Sequence, residues 1–188
     1  MGLPIDLFPD CQEYPSTVMS LLKQWLRPGD LVVLANMRAR VKTITGTHLA
    51  LQFLQLDRLA NLTRSKNASL VLLGDIPMVQ KKIEDCGGPY ARLLYEWVGA
   101  WCAPNSRCVA AGWEWDELDS TMREFARTRR SVFFHALYDL LCNKRDGCGP
   151  WVPGTHTLAF RDQHHILPEG SFALWRHFRT FLEADGLI

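Results

Sequence analysis

An aspartate stands three residues before a histidine near the end of the chain, in Asp162-Gln-His-His165-Ile-Leu-Pro-Glu-Gly170. A carboxylate at that spacing can accept a hydrogen bond from one imidazole nitrogen. That bond sets the tautomer and aims the other nitrogen at a nucleophile, the arrangement used in acyl transfer and ester hydrolysis. A purely structural Asp–His hydrogen bond fits the spacing too. Context favours the catalytic reading: the pair follows a short apolar segment, sits in a loop, and is ended by Gly170 and a helix. His164 is the competing imidazole.

Other positions bear on the same chemistry. Asn36 follows an apolar run; its side-chain N–H could serve an oxyanion or simply a turn. Gly74-Asp75-Ile76 has the outline of a Gly-Asp-Ser nucleophile turn, but isoleucine cannot attack a carbonyl. A strand-end turn, with Asp75 capping backbone before Pro77, is the preferred reading. Asp75, His164 and His165 as metal ligands form a weaker alternative, and neither a metal nor a cofactor is expected. Trp97, Trp101, Trp113 and Trp115 offer flat rings to a sugar, or ordinary packing.

The elements that must position these groups alternate between two periods. Residues 15–26 predict an amphipathic helix with Val18, Leu21, Leu22 and Trp25 on one face. Leu31-Val-Val-Leu-Ala35 and Ser69-Leu-Val-Leu-Leu73 are apolar runs that suit strands buried on both faces of a parallel sheet. Between them, 49–62 predicts a helix with Leu49, Phe53, Leu56, Leu59 and Ala60 as its stripe. Residues 80–115 read as a long irregular excursion with a short helix near 91–98. Helix over 118–129, strand over 131–134, a short helix over 136–141 and a weak fourth strand over 157–160 follow. The last helix starts near Pro168, with Phe172, Trp175, Phe178 and Leu182 as the expected buried stripe. Alternating strand and helix predicts a mostly parallel sheet with right-handed crossovers. Ligands bind such sheets beyond the carboxyl ends of the strands. Asn36, Asp75 and the Asp162/His165 loop all come just after predicted strands.

Bulk composition narrows the class. The 188 residues, 47% hydrophobic and 22% charged, are those of a globular protein and read as a single domain over 1–188. A net charge of +1 gives no argument for nucleic acid. Arg123, Arg127, Arg129 and Arg130 cluster at the predicted end of a helix, where cations complement the dipole. No apolar run is long enough for a transmembrane helix, and the N-terminus lacks the basic region of a signal peptide. Six cysteines include two pairs of equal spacing, Cys102/Cys108 and Cys142/Cys148. Loop closure by disulfides and buried free thiols are both open, and disulfides would indicate an oxidising compartment. Asn61-Leu-Thr63 and Asn67-Ala-Ser69 are formal glycosylation sequons.

Together these segments resemble the SGNH/GDSL hydrolase superfamily, and more closely the extracytoplasmic SGNH domain of polysaccharide O-acyltransferases. The resemblance rests on the apolar strand ending at Ala35-Asn36, on Val71-Leu-Leu-Gly-Asp-Ile-Pro77, on the Cys142/Cys148 loop and on Asp162-x-x-His165 with Gly170 before the final helix. It covers residues 15–185, and only the last block is specific. It implies an α/β three-layer sandwich with a mostly parallel, flavodoxin-like sheet. His165 would be general base, Asp162 its orienter and Asn36 an oxyanion contributor. The partner would be an acylated or acceptor carbohydrate, in an extracytoplasmic setting and often beside a membrane acyltransferase domain. The family's nucleophile is a serine in Gly-Asp-Ser on the first strand, which this sequence lacks. Either that strand lies elsewhere, leaving an apolar flank of the sheet uncovered, or the domain is a degenerate carbohydrate-binding or structural module.

Overall fold

The computed structural model describes residues 14–35, 46–74, 76, 114–143, 147, 148, 152, 159, 160 and 165–188. They contain helices α1 (Tyr14–Trp25), α2 (Gly46–Ser65), α3 (Glu114–Arg127), α4 (Tyr138–Leu141) and α5 (Pro168–Ala184). The strands are β1 (Leu31–Ala35), β2 (Ser69–Leu73), β3 (Val132–His135), β4 (Cys142–Asn143) and β5 (Gly147–Cys148). Two compact units result. One holds residues 1–74, 119–135 and Leu187; the other holds 75–118, 136–186 and Ile188.

The first unit is built on three parallel strands in the order β1-β2-β3. The α/β class and parallel pairing expected from the apolar runs are therefore present. Val32, Leu34, Leu70, Leu72, Val132 and Phe134 share one core with Leu56, Leu59 and Ala60 of α2, Phe125 and Ala126 of α3, and Met19 and Leu22 of α1. Alternate strand residues meeting helix residues at i, i+3 and i+4 is the packing that the two periods dictate.

Turn chemistry sets the strand starts. Asn67 (φ 53) and Ser131 (φ 63) take the left-handed conformation just before β2 and β3. Asparagine tolerates it better than most residues, and it ends α2 with Ala68 N–H donating to the Thr63 carbonyl at 2.9 Å. Ser131 therefore lies outside β3, and the strand runs from Val132 to His135 rather than over 131–134.

The expected arginine cluster resolves into local contacts. Arg127 forms a bidentate pair with Glu124, at 2.7 Å from both nitrogens, which holds the Glu124 carboxyl below its ordinary range. Arg129 donates to Asp57 of α2 at 2.9 Å and to the Phe125 carbonyl at 3.2 Å, and its guanidinium lies 3.7 Å from the Phe125 ring centre. Arg123 sits over Phe134.

Two helix faces differ from expectation. On α1, Met19 and Leu22 meet the core, whereas Leu21 and Trp25 are exposed, Trp25 by 65%. On α5, Gly170, Leu174 and Leu182 are buried, while Phe172 (67%) and Trp175 (46%) are exposed. The expected stripe Phe172-Trp175-Phe178-Leu182 was chosen by bulk. The buried face lies further round the helix, along the i+4 row of Gly170, Leu174, half-buried Phe178 and Leu182.

Of the fourth strand expected over 157–160, residues 157 and 158 lie outside the described residues, and Phe160 forms an antiparallel bridge to Ile166. The residue-91–98 helix lies outside the described residues. No described helix is long and apolar enough to cross a membrane.

Candidate functional site

The second unit has a small core of Leu141, Val152, Ala159, Phe160 and Leu174, with Ile76, Tyr138, Leu140, Ile166 and Ala173 packed around it. These residues come from scattered segments, so this core is assembled by tertiary contact rather than by one periodic stripe. Phe160 and Ala159 are fully buried.

This core pins the loop carrying the candidate base. Phe160 bridges Ile166, and the Leu167 N–H donates to the Ala159 carbonyl at 2.8 Å. Both ends of segment 161–165 are thereby held at one place. Asp162 and His165 are both inside that segment. His165 is exposed at the point where the loop enters the bridge. Asp162, His164, Asn36 and Asp75 lie outside the described residues.

Helix α5 begins immediately after the bridge. Leu167 is its extended N-cap without a side-chain capping bond, Pro168 opens the first turn, and Ser171 N–H donates to the Leu167 carbonyl at 2.8 Å. Proline costs nothing there because its missing N–H would lack a helical partner anyway. Gly170 is the residue that lets the helix close on the loop. A Cβ at Gly170 would sit 2.7 Å from the Ala159 carbonyl oxygen, 2.8 Å from the Ala159 Cα and 3.0 Å from Ile166 Cγ2. Backbone contact at that distance excludes any side chain. Gly170 was visible in sequence only as the end of a motif; its role as a spacer against Ala159 needed the fold.

In the first unit, the carboxyl ends of the strands form one row, with Ala35, Leu73 and His135 in register. Asn36 follows Ala35 directly, and Gly74 N–H donates to the His135 carbonyl at 2.7 Å. His135 is buried with its Nε2 inaccessible to solvent, as is Oδ1 of Asp119 on α3. Sequence reasoning passed over both. A histidine closing an apolar strand is the only signal that marked His135.

Among the described residues no group of histidine, cysteine, aspartate or glutamate side chains could hold a metal. Trp97, Trp101 and Trp113 are outside the described residues, and Trp115 falls in the first turn of α3.

The sequence matches no protein-family model and no curated protein. Two solved structures are similar. The periplasmic domain of the lipopolysaccharide acetyltransferase of Salmonella ser. Paratyphi A superposes with a TM-score of 0.63 at 16% identity, covering 89% of this chain and 61% of that one. A Streptococcus pneumonia chain described as a platelet activating factor aligns over 94% of this chain and 95% of its own at 13% identity, but its TM-score of 0.46 carries no weight. The chain therefore shares the α/β fold of the first and spans less than two thirds of its length.

Proposed function

We propose that this chain is an SGNH-type module of an enzyme that transfers or hydrolyses O-acyl groups on carbohydrates. His165 acts as general base and Asp162 orients it. Asn36, at the carboxyl end of β1, donates to the oxyanion. A serine outside these 188 residues attacks the acyl carbonyl; His165 takes its proton, an acyl-enzyme forms, and a sugar hydroxyl or water releases it. The observation that supports this reading is the bridge between Phe160 and Ile166, the residues that flank the stretch holding Asp162 and His165 just before α5. The likeness to the acetyltransferase domain supports the same fold lineage. An extracytoplasmic setting and a three-layer, flavodoxin-like arrangement belong to this proposal.

The strand carrying the serine has a natural place in it. Among the described residues β1 pairs only with β2, and Val33 is 45% exposed although Leu31-Val-Val-Leu-Ala35 has the composition of an interior strand. A further parallel strand beyond β1 would cover it.

The test is substitution in the full-length polypeptide. With p-nitrophenyl acetate as acyl donor, His165→Ala and Asp162→Asn each lower kcat by about 10³- to 10⁴-fold. Full activity in His165→Ala would remove the reading. The 188 residues alone show no turnover; turnover lost on His165→Ala would reveal a nucleophile within them.

A second reading, a degenerate carbohydrate-binding or structural module, is favoured by the lack of a Gly-Asp-Ser in these 188 residues. It predicts binding of acylated oligosaccharide with no turnover in any length of the polypeptide.

A further inference from the structure

The two short strands β4 and β5 pair antiparallel, with Cys142 directly opposite Cys148 and Asn143 opposite Gly147. Directly opposed residues on an antiparallel pair have Cα atoms about 4.5–5.5 Å apart and share one side of the ribbon. That distance lies within the span of about 4.4–6.8 Å that a disulfide requires. Equal spacing marked Cys102/Cys108 and Cys142/Cys148 as candidate pairs in the sequence, and the register sets the second pair opposite one another.

We propose that Cys142 and Cys148 form a disulfide that closes the β4–β5 hairpin and staples the core of the second unit. The bond forms by exchange with a disulfide of a thiol oxidoreductase or of oxidised glutathione. One cysteine thiolate attacks that disulfide and releases its first thiolate. The second cysteine thiolate then displaces the oxidant's remaining sulfur. Two electrons pass to the oxidant, and the two cysteine protons end on its thiols or in solvent.

The position of the hairpin gives the bond its consequence. Leu141 directly precedes Cys142, and Val152 lies four residues beyond Cys148; both are 1% exposed, in the core that also holds Ala159, Phe160 and Leu174. Among the described residues a two-residue ladder orders the segment between these anchors, and an isolated hairpin that small is marginal in water. A covalent link shortens the free chain between Leu141 and Val152 and lowers the entropy of the unfolded state. Oxidation thus stabilises the core that holds Phe160 and packs against Ile166. The inference concerns folding and stands apart from the role assigned to His165.

The sequence supplies a direct test. Lys144 and Arg145 lie inside the hairpin, so trypsin severs it and leaves the disulfide as the only link between its halves. The whole protein is equilibrated in a glutathione buffer dominated by the oxidised form, blocked with iodoacetamide, digested without reductant and analysed by mass spectrometry. Peptides 131–144 and 146–161 are expected as one species, two hydrogens lighter than their sum, which separates on reduction. Recovery of both peptides alkylated and unlinked, or of either joined to a peptide carrying Cys11, Cys86, Cys102 or Cys108, would overturn the proposal. In thermal melts the reduced protein is expected to unfold several degrees below the oxidised one. In the Cys142→Ser/Cys148→Ser variant that gap between redox states disappears; an undiminished gap would assign the effect to other cysteines and count against the staple.

Discussion

The two units hold themselves together by different means. In the first, three strands of Leu, Val, Phe and Ala lie in register, and α2 and α3 cover one face with residues at helical spacing. Neighbouring contacts are repetitive, so each strand and helix is specified by its own stretch of sequence. In the second, among the described residues, five buried residues from four separate segments make the core, and single contacts stand out: one bridge, one proline at a helix start, one glycine. Regular elements give a scaffold legible from local pattern. The proposed Asp162/His165 pair falls where local pattern gives out, in the stretch of sequence between the bridged residues Phe160 and Ile166.

The largest effect should come from deleting the anchor of the irregular core. Phe160→Ala removes a fully buried ring and is expected to cost about 3–5 kcal/mol in chemical denaturation. Leu70→Ala, equally buried in the regular sheet, should cost about 2–5 kcal/mol. The comparison breaks if Phe160→Ala costs less than about 1 kcal/mol, because the second unit would then have no core of its own.

Gly170→Ala is a sharper probe of the same contrast. Its Cβ meets Ala159 backbone at 2.7 Å, so either α5 or the bridge must shift, at about 1–3 kcal/mol. Under the role proposed for His165, the substitution should also lower kcat. A stable, fully active Gly170→Ala variant would show that the closeness of α5 to the loop is dispensable. Gly29 is the control, since nothing lies within 4 Å of a Cβ there and its positive φ of 88 is its only constraint.

The smallest effect belongs to the exposed face of α5. Phe172→Ala should change stability by no more than about 0.5 kcal/mol, whereas Leu174→Ala, two residues away and buried, should cost about 2–5 kcal/mol. The reverse order would restore the bulk-weighted stripe read from sequence.

The sheet was legible because its information is local. Leu31–Ala35 and Ser69–Leu73 were predicted with the bounds that the structure has, and the α2 stripe Phe53-Leu56-Leu59-Ala60 packs on the sheet core. The errors were of two kinds. Large aromatic side chains on α1 and α5 were taken as buried because size outweighed position; Trp25, Phe172 and Trp175 are exposed. The start of β3 slipped by one residue because Ser131 occupies a conformation usually left to glycine or asparagine.

The candidate site was legible as residue types but not as an assembly. Composition and spacing alone determined that the chain carries apolar parallel strands, an Asp-x-x-His segment and no Gly-Asp-Ser. Only tertiary structure decided that Phe160 and Ile166 close that segment, that Gly170 must be bare against Ala159, and that Cys142 faces Cys148. The reason is one of range. Hydrophobic period and turn propensity act within a few residues along the chain, whereas a close backbone approach or a strand register is set by atoms that sequence separation hides.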